Sequence, residues 1–221
     1  MPACPKLTTI LPTQTHLQVI DGLPEYNAVR TIFLHSASGL GRRHYCRQTN
    51  DQKWAGCRVI QIERIENGRL EEQSQQRLVA VSSQLTEQGI QFEAGVHTRW
   101  LFHGTDSLDA IIANPIDGFS ILMAGSGTGQ LWGTGIYCAR DAVYSNDYTT
   151  QRTAHGCKRM LLCLVTTGIA CLGGTHLKLL PNRFMYSKYD STVDSLSNPE
   201  IHIVNKALQV LPAYVITYSP P

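Results

Sequence analysis

"GTGIYCARDAVYSNDY", Gly133 to Tyr148, is the stretch from which the rest of the chain can be read. Gly135–Ala139 reads as a short strand bearing Tyr137, and Tyr144, Ser145 and Tyr148 follow on the next turn of chain. Upstream, "GFSILMAGSGTGQLWGTG" holds six glycines between 118 and 135. That is too long for a hairpin turn and is a candidate ligand-covering loop. Further upstream, "RWLFHGT" ends a strand at His103 and places Gly104 directly after it. A glycine there lets a ligand approach the backbone, whose N–H and C=O can read an amide. Each feature also has a plain structural explanation. A strand-end histidine can simply be satisfied in the fold, and tyrosines fill core edges. The glycines match neither a G-x-G-x-x-G turn opening a helix nor a Walker A loop.

Short apolar strands are expected on both sides, at Arg99–His103, Arg159–Thr166, Ile201–Val204 and Ala213–Tyr218. A short helix is expected at Ser107–Ala113, capped by Asp106 or Ser107. The N-terminal half differs. "LPEYNAVRTIFLHS" starts a helix at Pro24, with Tyr26, Val29 and Phe33 on one face. "CRVIQIERI" alternates like a strand ending near Ile65. "NGRLEEQSQQRLVAVSSQLTEQG" is an amphipathic helix with Leu70, Leu78, Val81 and Leu85 inward and Gly89 as its stop. A short strand fits Thr15–Ile20, and residues 39–56 read as an exposed basic loop. Helices early and strands late make the fold α+β rather than alternating βαβ. The expected organisation is an N-terminal extension over 1–22 and a single domain over 23–221.

The chain has 221 residues, 43% hydrophobic and 16% charged, which supports a sizeable core and argues against disorder. Nineteen basic against seventeen acidic residues leave +2, too even to point to nucleic acid or a membrane surface. The longest apolar run, Met160 to Val165, is far too short to cross a bilayer, and no signal-peptide pattern opens the chain. Seven cysteines, an odd number, fit free thiols in an intracellular compartment, cytoplasmic or nuclear. No metal site is expected, because Cys157, Cys163 and Cys171 lie too far apart for zinc knuckles. Cys163 fits better as a buried small hydrophobe.

Taken in order, "LFHGT", "WGTGIYCARDAVYSNDY", "KYDSTVDSLSNPEIHIV" and "QVLPAYVITY" resemble the catalytic domain of the poly(ADP-ribose) polymerase family. The likeness is greatest to its macrodomain-containing mono-ADP-ribosyltransferase branch. It is dense from Arg99 to Tyr218 and weaker upstream, through "THLQVIDGLPEYNAVRTIFL" and "IQIERIENGRLEEQSQQRL". The resemblance implies an ADP-ribosyltransferase fold, with split mixed or antiparallel β-sheets forming a cleft for NAD⁺, the co-substrate, flanked by helices. It implies transfer of ADP-ribose to a protein acceptor, or to the enzyme itself, with loss of nicotinamide. His103 would then bond a ribose hydroxyl, and the Gly104 backbone would pair with the carboxamide. Ser145 would donate to the carboxamide oxygen. Tyr137 and Tyr148 would sandwich the nicotinamide ring, and Tyr144 would line the same wall. The loop from Gly118 to Gly133 would be the donor loop. It departs from the family in carrying Ser120, Ile121 and Leu122 where relatives often place a basic residue.

Chain-building members of the family complete a His-Tyr-Glu triad, and Glu200 invites that role. In the branch this chain resembles, the third position lies a fixed distance before a "Q…P.Y" stretch, and counting back without a gap from Gln209, Pro212 and Tyr214 lands instead on Ile201. A one-residue slip would turn every later side chain of the strand to the opposite face. The expected triad is therefore His103-Tyr137-Ile201, and the expected activity is transfer of a single ADP-ribose. Two rivals are an inactive NAD⁺- or ADP-ribose-binding module and modification of nucleic-acid ends. The second would call for a basic strip. The dense basic run, Arg42-Arg43-His44 with Arg47 and Lys53, reads more simply as solvated surface.

Overall fold

The apolar run at 160–165 becomes the spine of the molecule. It lies in β5 (Lys158–Thr166), where Met160, Leu161, Leu162, Cys163 and Val165 are all fully buried. A strand covered on both faces needs no polar alternation, which explains the continuous run. The computed structural model describes residues 15–37, 56–114, 118–119, 130–184 and 187–220.

On one side of β5 lie β11 (Val210–Ser219), β2 (Arg58–Glu66) and β1 (Thr15–Gln18). On the other lie β3 (Thr98–His103), β4 (Ile136–Ala139), β10 (Ile201–Val204), β9 (Ser191–Val193) and β6 (Ala170–Leu172). Every pairing is antiparallel except that of β6 with β9. β3 pairs with β5 along its whole length, but with β4 at the single pair Phe102–Ala139. That joint is the narrowest in the nine-stranded sheet. A separate hairpin, β7 (Asn182–Phe184) and β8 (Ser187–Lys188), projects before β9. Thr15–Gln18, inside the expected 1–22 extension, pair with Glu66 to Glu63 of β2, and Val19 is buried in the core.

Helix α1 (Pro24–Ala37) starts at the proline and buries Tyr26, Val29 and Phe33 as expected. Phe33 packs edge-on against Phe102 at 5.9 Å and on Tyr218 at 5.1 Å. Helix α2 (Gly68–Glu87) opens on Asn67, whose side chain accepts from the Leu70 N–H at 3.1 Å. Glu71 reaches back to the Asn67 N–H, closing a reciprocal cap. Past its end, Gly89 takes φ +69°, a conformation that favours glycine. Ser74 replaces the expected Leu78 in the buried set, which is Leu70, Ser74, Val81 and Leu85. Helix α3 (Leu108–Ala113) buries Leu108 and Ile112 on the opposite sheet face, with Cys138, Leu161, Cys163 and Val215. Helix α4 (Ala142–Asn146), one turn and a half after β4, was not expected from the sequence. Among the described residues no helix is long and apolar enough to cross a membrane, and no group of His, Cys, Asp or Glu is placed to hold a metal ion.

Candidate active site

The short segment after β3 is pressed against α4. A Cβ on Gly104 would lie 1.7 Å from the Ser145 carbonyl oxygen and 3.0 Å from Thr149 Oγ1. Space, not a special dihedral, demands glycine here, since Gly104 is absent from the positive-φ glycines. Two further contacts hold the approach. The buried Ser145 hydroxyl donates to the Phe102 carbonyl at 3.1 Å, and the Thr149 hydroxyl donates to the Ser145 carbonyl at 3.4 Å. Asp106 then ties the β3–α3 turn to the chain after α4, accepting from the backbone N–H of Thr150 and Gln151 and from the Thr150 hydroxyl. These bonds, that of the Thr150 hydroxyl foremost, hold its carboxyl below the usual range. The expected cap of α3 is thus settled: Ser107 holds the capping position, without a side-chain cap bond, and Asp106 is engaged elsewhere.

His103, half-buried at the end of β3, places Nδ1 2.8 Å from the Tyr137 carbonyl. A carbonyl only accepts, so Nδ1 carries the hydrogen, and in the neutral ring Nε2 is the acceptor. Burial lowers the pKa of the ring, against the opposing pull of the Tyr137 carbonyl, so the neutral form is the one favoured. Phe119 meets the ring edge-on at 4.9 Å and fixes its plane.

Tyr137 is anchored at both ends. Its hydroxyl accepts from the Trp132 N–H at 3.1 Å and donates to the Gly133 carbonyl at 2.7 Å. Burial raises its pKa, the Trp132 N–H opposes that, and nearby Tyr148 adds to it. Tyr148, half exposed, packs against Tyr144 with centroids 5.4 Å apart and hydroxyls 3.0 Å apart. The two rings come from one face of the α4 turn, four residues apart.

Which residue of β10 shares the Tyr137 face is decided by register. Ile203 lies opposite Tyr137 and Ile201 opposite Ala139, so both isoleucines stand on the same side as Tyr137. Asp194 fixes that register: its Oδ1 accepts from the N–H of Glu200 at 2.9 Å and of Ile201 at 3.0 Å. Glu200 turns to the other face, where its carboxylate lies 3.5 Å from Arg140 Nη2. Arg140 also bonds Asn198 and Asp141. His202 shares that reverse face and is 3% exposed, and neither ring nitrogen is bonded among the described residues. Burial, with Arg99 and Arg140 nearby, pushes its pKa down to about 3.

His103, Gly104, Tyr137 and Ser145 are therefore brought together at the narrow joint of β3 and β4, with Tyr144 and Tyr148 beside them and Ile201 on the Tyr137 face. Residues 120–129 of the expected donor loop, including Ser120, Ile121 and Leu122, and the basic run at 42–53 lie outside the described residues. The sequence singled out neither Asp194 nor Phe119, and offered Asp106 only as a helix cap. "YDSTVDS" held the signal for the first, a carboxylate a few residues before a strand, which caps backbone N–H groups readily.

The pattern described as Poly(ADP-ribose) polymerase catalytic domain matches residues 42–178. That span includes His103, Gly104, Tyr137, Tyr144, Ser145 and Tyr148; Ile201 lies beyond it. Protein mono-ADP-ribosyltransferase PARP12 of Mus musculus is 37% identical over 129 residues, 56% of this chain and 17% of that protein. Protein mono-ADP-ribosyltransferase PARP10 of Mus musculus is 31% identical over 166 residues, 72% of this chain and 16% of that protein. A Dictyostelium discoideum protein named "Probable poly [ADP-ribose] polymerase" is 30% identical over 164 residues, 72% of this chain and 44% of that protein. The chain thus spans under a fifth of the two mammalian relatives and under half of the third. With most of its length matched and the motifs gathered at one site, this chain belongs to the poly(ADP-ribose) polymerase catalytic domain family.

Proposed function

We propose that this chain transfers a single ADP-ribose unit from NAD⁺ to a protein acceptor and releases nicotinamide. The observation that carries this reading is the β10 register, which sets Ile201 rather than Glu200 on the Tyr137 face. The other parts fit NAD⁺ as co-substrate. The Gly104 N–H and C=O are a donor and acceptor in one residue, matched to a primary carboxamide. The Ser145 hydroxyl can rotate from the Phe102 carbonyl to donate to the same carboxamide. Neutral His103 offers Nε2 as acceptor for a ribose hydroxyl. The Tyr137 and Tyr148 rings offer flat faces to the electron-poor nicotinamide.

In the reaction the C1′–N bond breaks and its electron pair leaves with nicotinamide. The acceptor nucleophile then forms the new bond at C1′ and loses its proton. The chain's residues orient the sugar and the leaving group, which lowers the barrier without acid or base chemistry. Ile201 supplies neither negative charge for the developing cation nor a base to activate a ribose hydroxyl for chain growth. An acceptor carboxylate fills the first role, and the second goes unfilled, which limits transfer to one unit. The free thiols of Cys57, Cys138, Cys157, Cys163 and Cys171 support a reducing, intracellular setting, and automodification is the simplest acceptor reaction to look for.

Incubation with labelled NAD⁺ tests the reading. Label should pass to protein and nicotinamide should appear, and His103→Ala should abolish both. Glu200→Gln should leave both nearly intact. A loss from Glu200→Gln equal to that from His103→Ala would overturn the register argument.

A further inference from the structure

From Tyr148 to Tyr189 the chain contains no aspartate or glutamate and six lysines and arginines, so all seventeen acidic residues lie elsewhere. The last part of this tract leaves the sheet as an arm. Leu172 on the edge strand β6 is 55% exposed, Leu179 72% and Phe184, on β7, 63%. Lys178 and Lys188 are exposed beside them, and the Arg183 guanidinium lies 5.2 Å over the Phe184 ring. Among the described residues no carboxylate pairs with Lys178, Arg183 or Lys188, whereas Arg159, earlier in the tract, is paired with Asp109.

The arm is joined to the candidate active site. The Thr134 N–H donates to the Leu177 carbonyl at 3.0 Å, and Gly173 is packed so closely that a Cβ on it would lie 2.5 Å from the Trp132 carbonyl oxygen. Trp132 and Gly133 are the residues that hold the Tyr137 hydroxyl. A chain lying along the arm would therefore approach the site from the Tyr137 side.

We propose that this arm is the docking surface for the acceptor protein, and that it takes an extended segment in which aspartates and glutamates flank large apolar side chains. The inference rests on the transferase reading for the word acceptor. The charge complementarity rests on the acid-free tract alone. Unpaired cations interleaved with exposed leucines and a phenylalanine match alternating acidic and apolar groups. A nucleic acid would answer the cations but leave Leu172 and Leu179 unmatched, and the local charge is modest for phosphate binding.

The experiment measures binding of three labelled probes to the full chain: a peptide alternating Asp and Glu with Leu and Phe, the same peptide with Lys for every acid, and a 5′-phosphorylated oligonucleotide. The acidic peptide should bind about tenfold or more tighter than the basic one, and more weakly as salt rises. The combined Lys178→Glu, Arg183→Glu and Lys188→Glu variant should lose that preference. Leu179→Ser with Phe184→Ser should weaken binding severalfold without removing the salt dependence. Nicotinamide release without acceptor should be unchanged in both variants. Equal binding of the two peptides, tighter binding of the oligonucleotide, or unaltered binding in both variants would each overturn the proposal. Absence of nicotinamide release from the unmutated chain would refute the transferase reading, and the peptide comparison would still decide the docking surface.

Discussion

Replacing Gly104 by alanine is the sharpest perturbation of the site, because one carbon is added and nothing is removed. The new Cβ would stand 1.7 Å from the Ser145 carbonyl oxygen and 2.7 Å from its carbon, against roughly 3.5 Å for ordinary contact. Both atoms are backbone, so no side-chain rotation relieves the clash. The end of β3 and α4 must separate by about 1.5 Å or more. Overpacking of this kind costs about 1–3 kcal/mol. The shift also strains the Ser145–Phe102 and Thr149–Ser145 hydrogen bonds, at about 1 kcal/mol each. A total of roughly 3–5 kcal/mol in a chain of this size lowers Tm by roughly 6–20 °C. A displacement of that size at reacting groups costs on the order of a hundredfold in rate. Calorimetry gives the first figure and NAD⁺-dependent nicotinamide release the second. Ser145→Ala is the control, since it removes one hydrogen bond and leaves the spacing alone; its Tm should fall by no more than a few degrees. An alanine variant of Gly104 that melts and turns over like the wild type would refute the close packing of β3 on α4.

Three further outcomes follow from the same structure. Asp194→Ala removes one carboxylate that accepts from two backbone N–H groups, and should cost about 1.5–3 kcal/mol by denaturant titration, with weaker hydrogen-exchange protection of β10. His202→Phe replaces a buried ring whose nitrogens have no partner among the described residues, so it should be neutral or stabilising at pH 7. Folded His202 stays neutral down to about pH 3, while the unfolded ring takes a proton near ~6.5. The native state thus binds fewer protons, and its stability falls as pH drops below ~6.5, by up to about 1.4 kcal/mol per pH unit. The phenylalanine variant should lack that share of the acid sensitivity, and an identical pH profile would refute the assignment. For His103, burial places the folded pKa below the ordinary value, so its Nε2 should remain an acceptor from neutral pH downward until that lower value is passed. NMR titration of the ring should show this, with kcat/KM falling over the same range.

Most of the sheet and much of the site could be read in advance, for physical reasons that differ between elements. Tyr26, Val29 and Phe33 announced α1 because a helix repeats its buried face every three to four residues. Ile201 could be assigned because the family resemblance supplies the spacing to Gln209, Pro212 and Tyr214, and a single-residue slip of a strand has no partial form. β11 was expected over Ala213–Tyr218. It begins at Val210 because the pairing with β5 shifts between Pro212 and Tyr214, and pairing with β2 starts only at Tyr214. The short strands β6 and β9 have three residues each, too few to show a period. Ser74 entered the core in place of Leu78 because which residues of an amphipathic stripe face the sheet depends on how the helix sits upon it. Asp106 looked like a helix cap, and its long-range partners at 150 and 151 left no local trace.

Mass spectrometry of the modified protein after incubation with NAD⁺ tests the central claim most directly. With Ile201 rather than Glu200 on the Tyr137 face, each modified site should carry one ADP-ribose, whatever the incubation time. Sites bearing chains of ADP-ribose that lengthen with time would contradict it.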